Sequence, residues 1–333
     1  MKPEYPGHVT LIEVGPRDGF QFESQIIPTG LKLDIIRRLV ASGLKEIQVA
    51  SFVNPERVPQ MADAEELAAR LPEAKEVVFW GLALNSRGVE RAFRAGIRHV
   101  EISVSASEAH SRKNMGMSID TAMNSARDMV RMAKTLGIRI RVSIQCAFGC
   151  GQDPDIPLQR VISMVSDFLD WGAPGICLAD TAGTAGPLSI REGLDAVLPR
   201  IGGANFGLHL HDTWGLGIAN VLTALSYGVN RFDCSFGGMG GCPFLPGASG
   251  NIATEDTAGL MTSLGVDVGV DVARIAECSR MMEAYLGKGL PGKRYRLLAG
   301  AVDPGMLCEE AAHPLSTGGG ESGLPNLSLP TGG

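Results

Sequence analysis

The segments "VEISVSAS" at 100–107, "SIDTAMNSARDMVRMAKTLG" at 118–137 and "IRVSIQCA" at 140–147 follow one another along the chain. The outer two are short and apolar, as buried strands are. The middle one repeats its apolar residues at helical spacing and ends on Gly137, where a left-handed turn can feed the next strand. Strand, helix and strand in this order pair in parallel through a crossover.

The same alternation continues on both sides. Before this unit, "VTLIEVG" precedes "LKLDIIRRLVASG", "EIQVASF" precedes "ADAEELAARL", and "VVFWGLAL" precedes "GVERAFRAG". After it, "IRVSIQCA" is followed by "LQRVISMVSDFLDWG", "GICLAD" by "SIREGLDAVLPR", "FGLHLHD" by "GIANVLTALSYG", and "RFDCSF" by "ATEDTAGLMTSLG". Eight such pairs predict an α/β fold of the closed (β/α)8 type, a TIM barrel. A doubly wound open sheet is the rival, and the G-x-G-x-x-G fingerprint expected after its first strand is missing. Past the eighth unit, "DVARIAECSRMMEAYLG" reads as an added helix. The expected organisation is a barrel over 1–290, a C-terminal extension over 291–313 and a flexible Gly/Ser/Pro-rich tail over 314–333.

Bulk properties narrow the function classes. A chain of 333 residues, 44% hydrophobic and holding 43 glycines, suits a close-packed α/β enzyme. A formal charge of −6 with no basic run argues against nucleic acid. No apolar run approaches a membrane span, and "MKPEYPGHVTLIEVG" has neither signal-peptide nor transit-peptide character, so a cytoplasmic location is expected. Seven scattered cysteines read as reduced thiols, and the lone "CAFGC" pair at 146–150 as packing more than a metal site.

Chemistry in such a barrel sits at the C-terminal ends of the strands. "HLHDTWG" at 209–215 places His209 and His211 on one side of the seventh strand. The pair is either a metal site or two satisfied core histidines. Arg17 and Asp18 follow the first strand in "EVGPRDGFQ", as an ion pair or as site residues. Asp18, His209 and His211 together suit a divalent ion with open positions, and Asn251, ending the glycine-rich "GGMGGCPFLPGASGN", offers an amide oxygen. Oxygen ligands favour Mg2+ or Mn2+, although imidazole also suits zinc.

"VGPRDGFQFE", "SFVNPERVPQMAD", "HLHDTWG" and above all "GGMGGCPFLPGASGNIATED" closely resemble segments of the hydroxymethylglutaryl-CoA lyase family, within the DRE-TIM metallolyase superfamily. The resemblance runs in order from about residue 8 to about residue 290. It implies retro-Claisen cleavage of a 3-hydroxy-3-substituted acyl-CoA to acetyl-CoA and a keto acid, by a homodimer. It further implies Asp18, His209, His211 and Asn251 as metal ligands, Arg17 as the group that stabilises the enolate, Asp18 or His209 as base, and Cys242 as a proton-transfer residue on a closing loop. Ser51 and Asp180 match the family's substrate-binding positions.

Four positions depart from it. Gln48 stands where the family has a glutamate, while Ser143, Gln145 and Cys177 stand where tyrosine, serine and serine are expected. All four fall where the acyl part of the substrate should bind, so an altered acyl pocket is expected, unless a neighbour such as Glu255 supplies the missing charge. Citramalyl-CoA, which would yield pyruvate, is the alternative substrate. An acetyl-CoA-dependent condensing synthase shares the Arg-Asp and H-x-H elements but carries a long regulatory domain, for which too few residues follow the barrel. Arg112, Lys113 and Asn114 are positioned to meet CoA phosphates, or are a solvated loop.

Overall fold

A computed structural model, describing residues 5–150, 156–241 and 249–298, shows eight parallel strands closed in chain order. They are β1 Thr10–Glu13, β2 Glu46–Ser51, β3 Val78–Ala83, β4 His99–Ser105, β5 Arg139–Gln145, β6 Gly175–Asp180, β7 Asn205–Leu210 and β8 Arg231–Cys234. β8 closes the ring on β1, with Thr10 beside Arg231 and Glu13 beside Cys234. The expected (β/α)8 barrel is therefore the fold.

Helix Ile119–Leu136 shows why the sequence folds this way locally. Ser118 caps its first turn by accepting from Thr121 N–H at 3.3 Å, and Gly137 ends it in the left-handed conformation at φ 68°. Its buried residues, Ala122, Ala126, Met129, Val130 and Ala133, recur at helical spacing and face the barrel. Beneath the helices, Val100, Ile102 and Val104 of β4 and Ile140, Val142 and Ile144 of β5 form the apolar layer. Alternate residues of the same strands point into the barrel, where a TIM barrel ordinarily packs branched apolar side chains. Here they are Glu101, Ser103, Arg141 and Ser143, joined by His209 of β7 and Asp233 of β8.

Helix Val272–Leu286 is the added helix, and it packs on helix Thr29–Ala41. Contacts continue past residue 290: Tyr295 is fully buried, its hydroxyl donating to Glu283 at 3.0 Å and accepting from Leu290 N–H at 3.1 Å. Residues 299–333 lie outside the described residues, and with them most of the expected extension and the whole tail. Among the described residues no helix is long and apolar enough to cross a membrane. The five described cysteines, Cys146, Cys150, Cys177, Cys234 and Cys278, are all unpaired by disulfides and buried.

At the end of β1, the Glu13 carboxylate accepts from Gly15 N–H at 2.8 Å, Phe236 N–H at 3.0 Å and Thr254 Oγ1 at 2.7 Å. It thereby ties β1 to the segments that follow β8. Burial pushes its pKa up to about 8, outweighing those three hydrogen bonds. The folded protein thus keeps a proton that the unfolded chain has released, and stability falls as pH rises from the ordinary value of 4.5 through about 8. Glu13→Gln, whose amide fills the same space and can donate to Thr254, is expected to flatten that decline. Chemical denaturation at about pH 6 and about pH 9 measures the slope; equal declines in both proteins would contradict the assignment.

Candidate active site

β1 leads directly into a single π-helical turn, Gly15–Gly19, in which the N–H groups of Arg17 and Asp18 both approach the Val14 carbonyl, at 3.1 and 2.6 Å. In this wide turn two consecutive side chains, Arg17 and Asp18, line the same cavity. Arg17 Nη1 reaches Asp18 Oδ1 at 2.5 Å, and its Nε donates to Gln48 Oε1. Gln48 sits where the register of β2 against β3 slips, between Gln48 and Ala50, and such an irregularity re-aims a side chain. It is fully buried, and its Nε2 has no partner among the described residues.

β7 brings His209 and His211 together with their Nε2 atoms 3.1 Å apart. His209 Nδ1 hydrogen-bonds Asp233 Oδ2 at 3.1 Å, whereas His211 Nδ1 has no partner among the described residues. Asn251 donates through Nδ2 to Asp18 Oδ2 at 2.7 Å and to the Met239 carbonyl at 3.0 Å. Its Oδ1 is buried without a hydrogen-bond partner among the described residues. Ligand atoms of Asp18, His209 and His211 all lie within 4.8 Å of one another, and all three residues are buried.

Charge states follow from these neighbours. Burial works to raise the Asp18 pKa, but Arg17, the two histidines and the Asn251 amide outweigh it and hold the carboxyl below its ordinary value. Burial, reinforced by His209, drives His211 down to about 3, so that ring is neutral. For His209, burial is outweighed by the hydrogen bond and charge of Asp233 and by Asp18, and its pKa is raised. An ionised carboxylate, two imidazoles with converging Nε2 atoms and an orphaned amide oxygen form a donor set that fits one divalent cation.

A cavity of about 700 Å3 opens beside this cluster, lined by Arg17, Asp18, Gln145, Thr181, His209 and His211 among others. Asn114, on the short helix Glu108–Met115, also lines it, whereas Arg112 pairs with Glu108 at 2.7 Å. The remaining residues expected to meet substrate lie behind this wall. Ser51 donates to Gln21 at 2.7 Å, Ser143 accepts from Gln145 at 2.9 Å, and Cys177 is fully buried. Asp180 accepts from the backbone N–H groups of Gly183, Thr184 and Ala185 at 3.1–3.2 Å, and burial raises its pKa to about 6 against those bonds. Glu255 is taken up by Gly237 N–H and Ser279 Oγ beside Glu13, and is no partner for Arg17. Cys242 lies outside the described residues; its neighbour Gly241 lines the cavity. Sequence reasoning missed Gln21, Glu101 and Ser103 as lining residues. The polar parity of "EISVS" carried that signal for the last two.

The HMGL-like family model matches residues 8–282. The chain belongs to this family. Hydroxymethylglutaryl-CoA lyase of Bacillus subtilis is 36% identical over 293 residues, covering 88% of this chain and 98% of that protein. (R)-citramalyl-CoA lyase of Chloroflexus aurantiacus is 38% identical over 296 residues, covering 85% of this chain and 92% of that one. The structure of an HMG-CoA lyase from Acinetobacter baumannii in complex with coenzyme A and 3-methylmalate superposes with a TM-score of 0.82 at 32% identity, over 93% of this chain and 98% of the other.

In this HMGL-like chain the placement of Asn251 depends on two glycines. Gly240 and Gly250 both have positive φ, +129° and +86°, and a Cβ on Gly250 would lie 2.6 Å from the Gly240 carbonyl carbon. Backbone cannot yield as a side-chain tip can. Gly250→Ala is expected to destabilise the protein by about 1–3 kcal/mol. The thermal midpoint measures this, and an unchanged midpoint would show that the close approach is dispensable.

Proposed function

We propose that this lyase cleaves a 3-hydroxy-3-substituted acyl-CoA between C2 and C3, releasing acetyl-CoA and a keto acid, which is acetoacetate when hydroxymethylglutaryl-CoA is the substrate. The observation that carries this reading is the convergence of Arg17 with Asp18, His209 and His211 at one cavity. Asp18, His209 and His211, with Asn251 as a further ligand, would hold Mg2+ or Mn2+. When bound, the ion supplies a Lewis acid that lowers the pKa of the substrate's tertiary hydroxyl.

The protein's own groups supply the rest. Asp18 or His209, which stand together at the candidate ion site beside the cavity, takes the hydroxyl proton as base. Loss of that proton drives cleavage of the C2–C3 bond, and the electron pair passes to the thioester as an enolate. Arg17, held by Asp18 and Gln48, presents a preformed guanidinium to charge that appears only as the bond breaks. Cys242 then supplies the proton to the acetyl carbon. Coenzyme A in the Acinetobacter baumannii structure supports an acyl-CoA substrate here, and Asn114 is the lining residue assigned to it. The family resemblance further supports a homodimer, and a cytoplasmic location is part of the same proposal.

Citramalyl-CoA is the second reading. It is favoured by Gln48, which gives Arg17 a neutral partner, and by a citramalyl-CoA lyase as similar to this chain as the hydroxymethylglutaryl-CoA lyase is. Purified protein assayed for acetyl-CoA release against both esters, with and without EDTA, tests the proposal. Turnover of one of them, abolished by chelation and restored by Mg2+ or Mn2+, is the expected result; full activity after chelation would overturn the metal assignment. Arg17→Lys keeps the charge but loses the planar fork, and is expected to lower kcat by at least about a hundredfold while KM moves little. A kcat close to that of the parent would remove Arg17 from the mechanism.

A further inference from the structure

We propose that Asp233 is the positioning residue of the candidate metal centre, fixing His209 with its proton on Nδ1, and that Arg141 and Glu101 hold Asp233 in place. The proposal rests on the reading of Asp18, His209 and His211 as a divalent-cation site. Strand register sets up the arrangement: His209 lies beside Asp233 across β7 and β8, and Glu101 beside Arg141 across β4 and β5. Partners side by side on neighbouring strands project to the same face, here the inside of the barrel.

Arg141 then crosses the barrel from β5 to β8. Its Nη1 reaches Asp233 Oδ1 at 2.6 Å, its Nη2 reaches Asp233 Oδ2 at 2.9 Å, and its Nε donates to Glu101 Oε2 at 2.8 Å. The fork fixes the plane of the Asp233 carboxylate. Side-chain exposures of Arg141, Glu101, Asp233 and His209 are 6%, 3%, 2% and 8%, so water does not compete for these bonds. An ionised carboxylate only accepts, so His209 Nδ1 must donate to Asp233, and in the neutral ring that binds a cation Nε2 is left as a lone pair facing His211 and Asp18. His211 Nδ1 has no such partner among the described residues, so the ring orientation of the pair is imposed from the Asp233 side.

Charge points the same way. The Glu101, Arg141 and Asp233 group sets two carboxylates against one guanidinium, an excess of one negative charge in the barrel interior. Arg17 and Asp18 cancel one another. A divalent cation held at His209 would offset that excess.

Asp233→Asn tests the proposal. An asparagine that keeps its oxygen on Arg141 turns its NH2 toward His209 Nδ1 and drives the imidazole proton onto Nε2, where it blocks coordination. Mn2+ binding, measured by calorimetry without any acyl-CoA, is expected to weaken at least about tenfold, and Glu101→Gln to cause a smaller loss in the same direction. A purely structural role would lower the thermal midpoint and leave Mn2+ affinity alone, so affinity within about twofold of the parent overturns the proposal. Should Asp233→Asn fail to fold, 15N-histidine NMR of the EDTA-stripped parent, at a pH high enough for the His209 ring to be neutral, decides: its single proton on Nδ1 supports the assignment, and on Nε2 overturns it. A parent protein that does not bind Mn2+ overturns the metal reading itself, and this proposal with it.

Discussion

A guanidinium inside a barrel has to be neutralised within it. Arg141 is 5% exposed, stacks within 5.6 Å of the Trp80 ring, and is met by Glu101 on one side and Asp233 on the other. Burial alone would lower its pKa; the two carboxylates raise it well above the ordinary arginine value, so it stays charged. Removing one partner from such a buried cluster costs about 3–5 kcal/mol, because the remaining charge is stranded. The strand register that juxtaposes these groups is therefore strongly specified. A slip of one residue would send every inward polar side chain under the helices and every apolar one into the barrel.

The candidate site inherits its precision from that constraint. His209 leaves β7 one pleat beyond Leu208, whose register partner Phe232 precedes Asp233, so the distance from His209 to Asp233 is set by backbone pairing rather than by loop conformation. Arg17 and Asp18 follow β1, the strand that pairs with β8 on its other side, where Glu13 ties β1 to Phe236 and Thr254. Sites whose groups emerge from rigid strand ends hold their geometry before substrate arrives, which is the condition for electrostatic stabilisation of developing charge.

The alternation of strands and helices, with Ser118 and Gly137 bounding one helix, made the barrel legible without coordinates. The H-x-H pair was legible too, because the two-residue period of a strand is enough to place both rings on one face. Period gives the face but not the depth. Ser143 and Cys177 have the same parity as Gln145 and Ala179, yet they lie a layer farther from the mouth and are covered, while Gln145 reaches the cavity. Gln48 is hidden for a different reason, the local slip in β2. The link from Arg141 to Asp233 spans 92 residues and joins strands that are not neighbours, so no local pattern announces it. The short helix Glu108–Met115 also escaped, since its capping signal at Ser107 sits inside what reads as the end of a strand.

The π-helical turn at Gly15–Gly19 gives this segment an unusual relation to chain length. An α-helical turn would separate the directions of Arg17 and Asp18 by about 100°, whereas here the Gly15 carbonyl accepts from Phe20 N–H, five residues on, so the turn holds one residue more than an α-turn requires. Substitutions around the pair change a contact at a time. A single-codon deletion would instead return the turn to α geometry and rotate one of the two side chains out of the cavity, while leaving the composition of the site intact. Length variation among related chains should for this reason collect in the distal parts of the loops and be nearly absent between β1 and Phe20, even where individual residues in that stretch are exchanged.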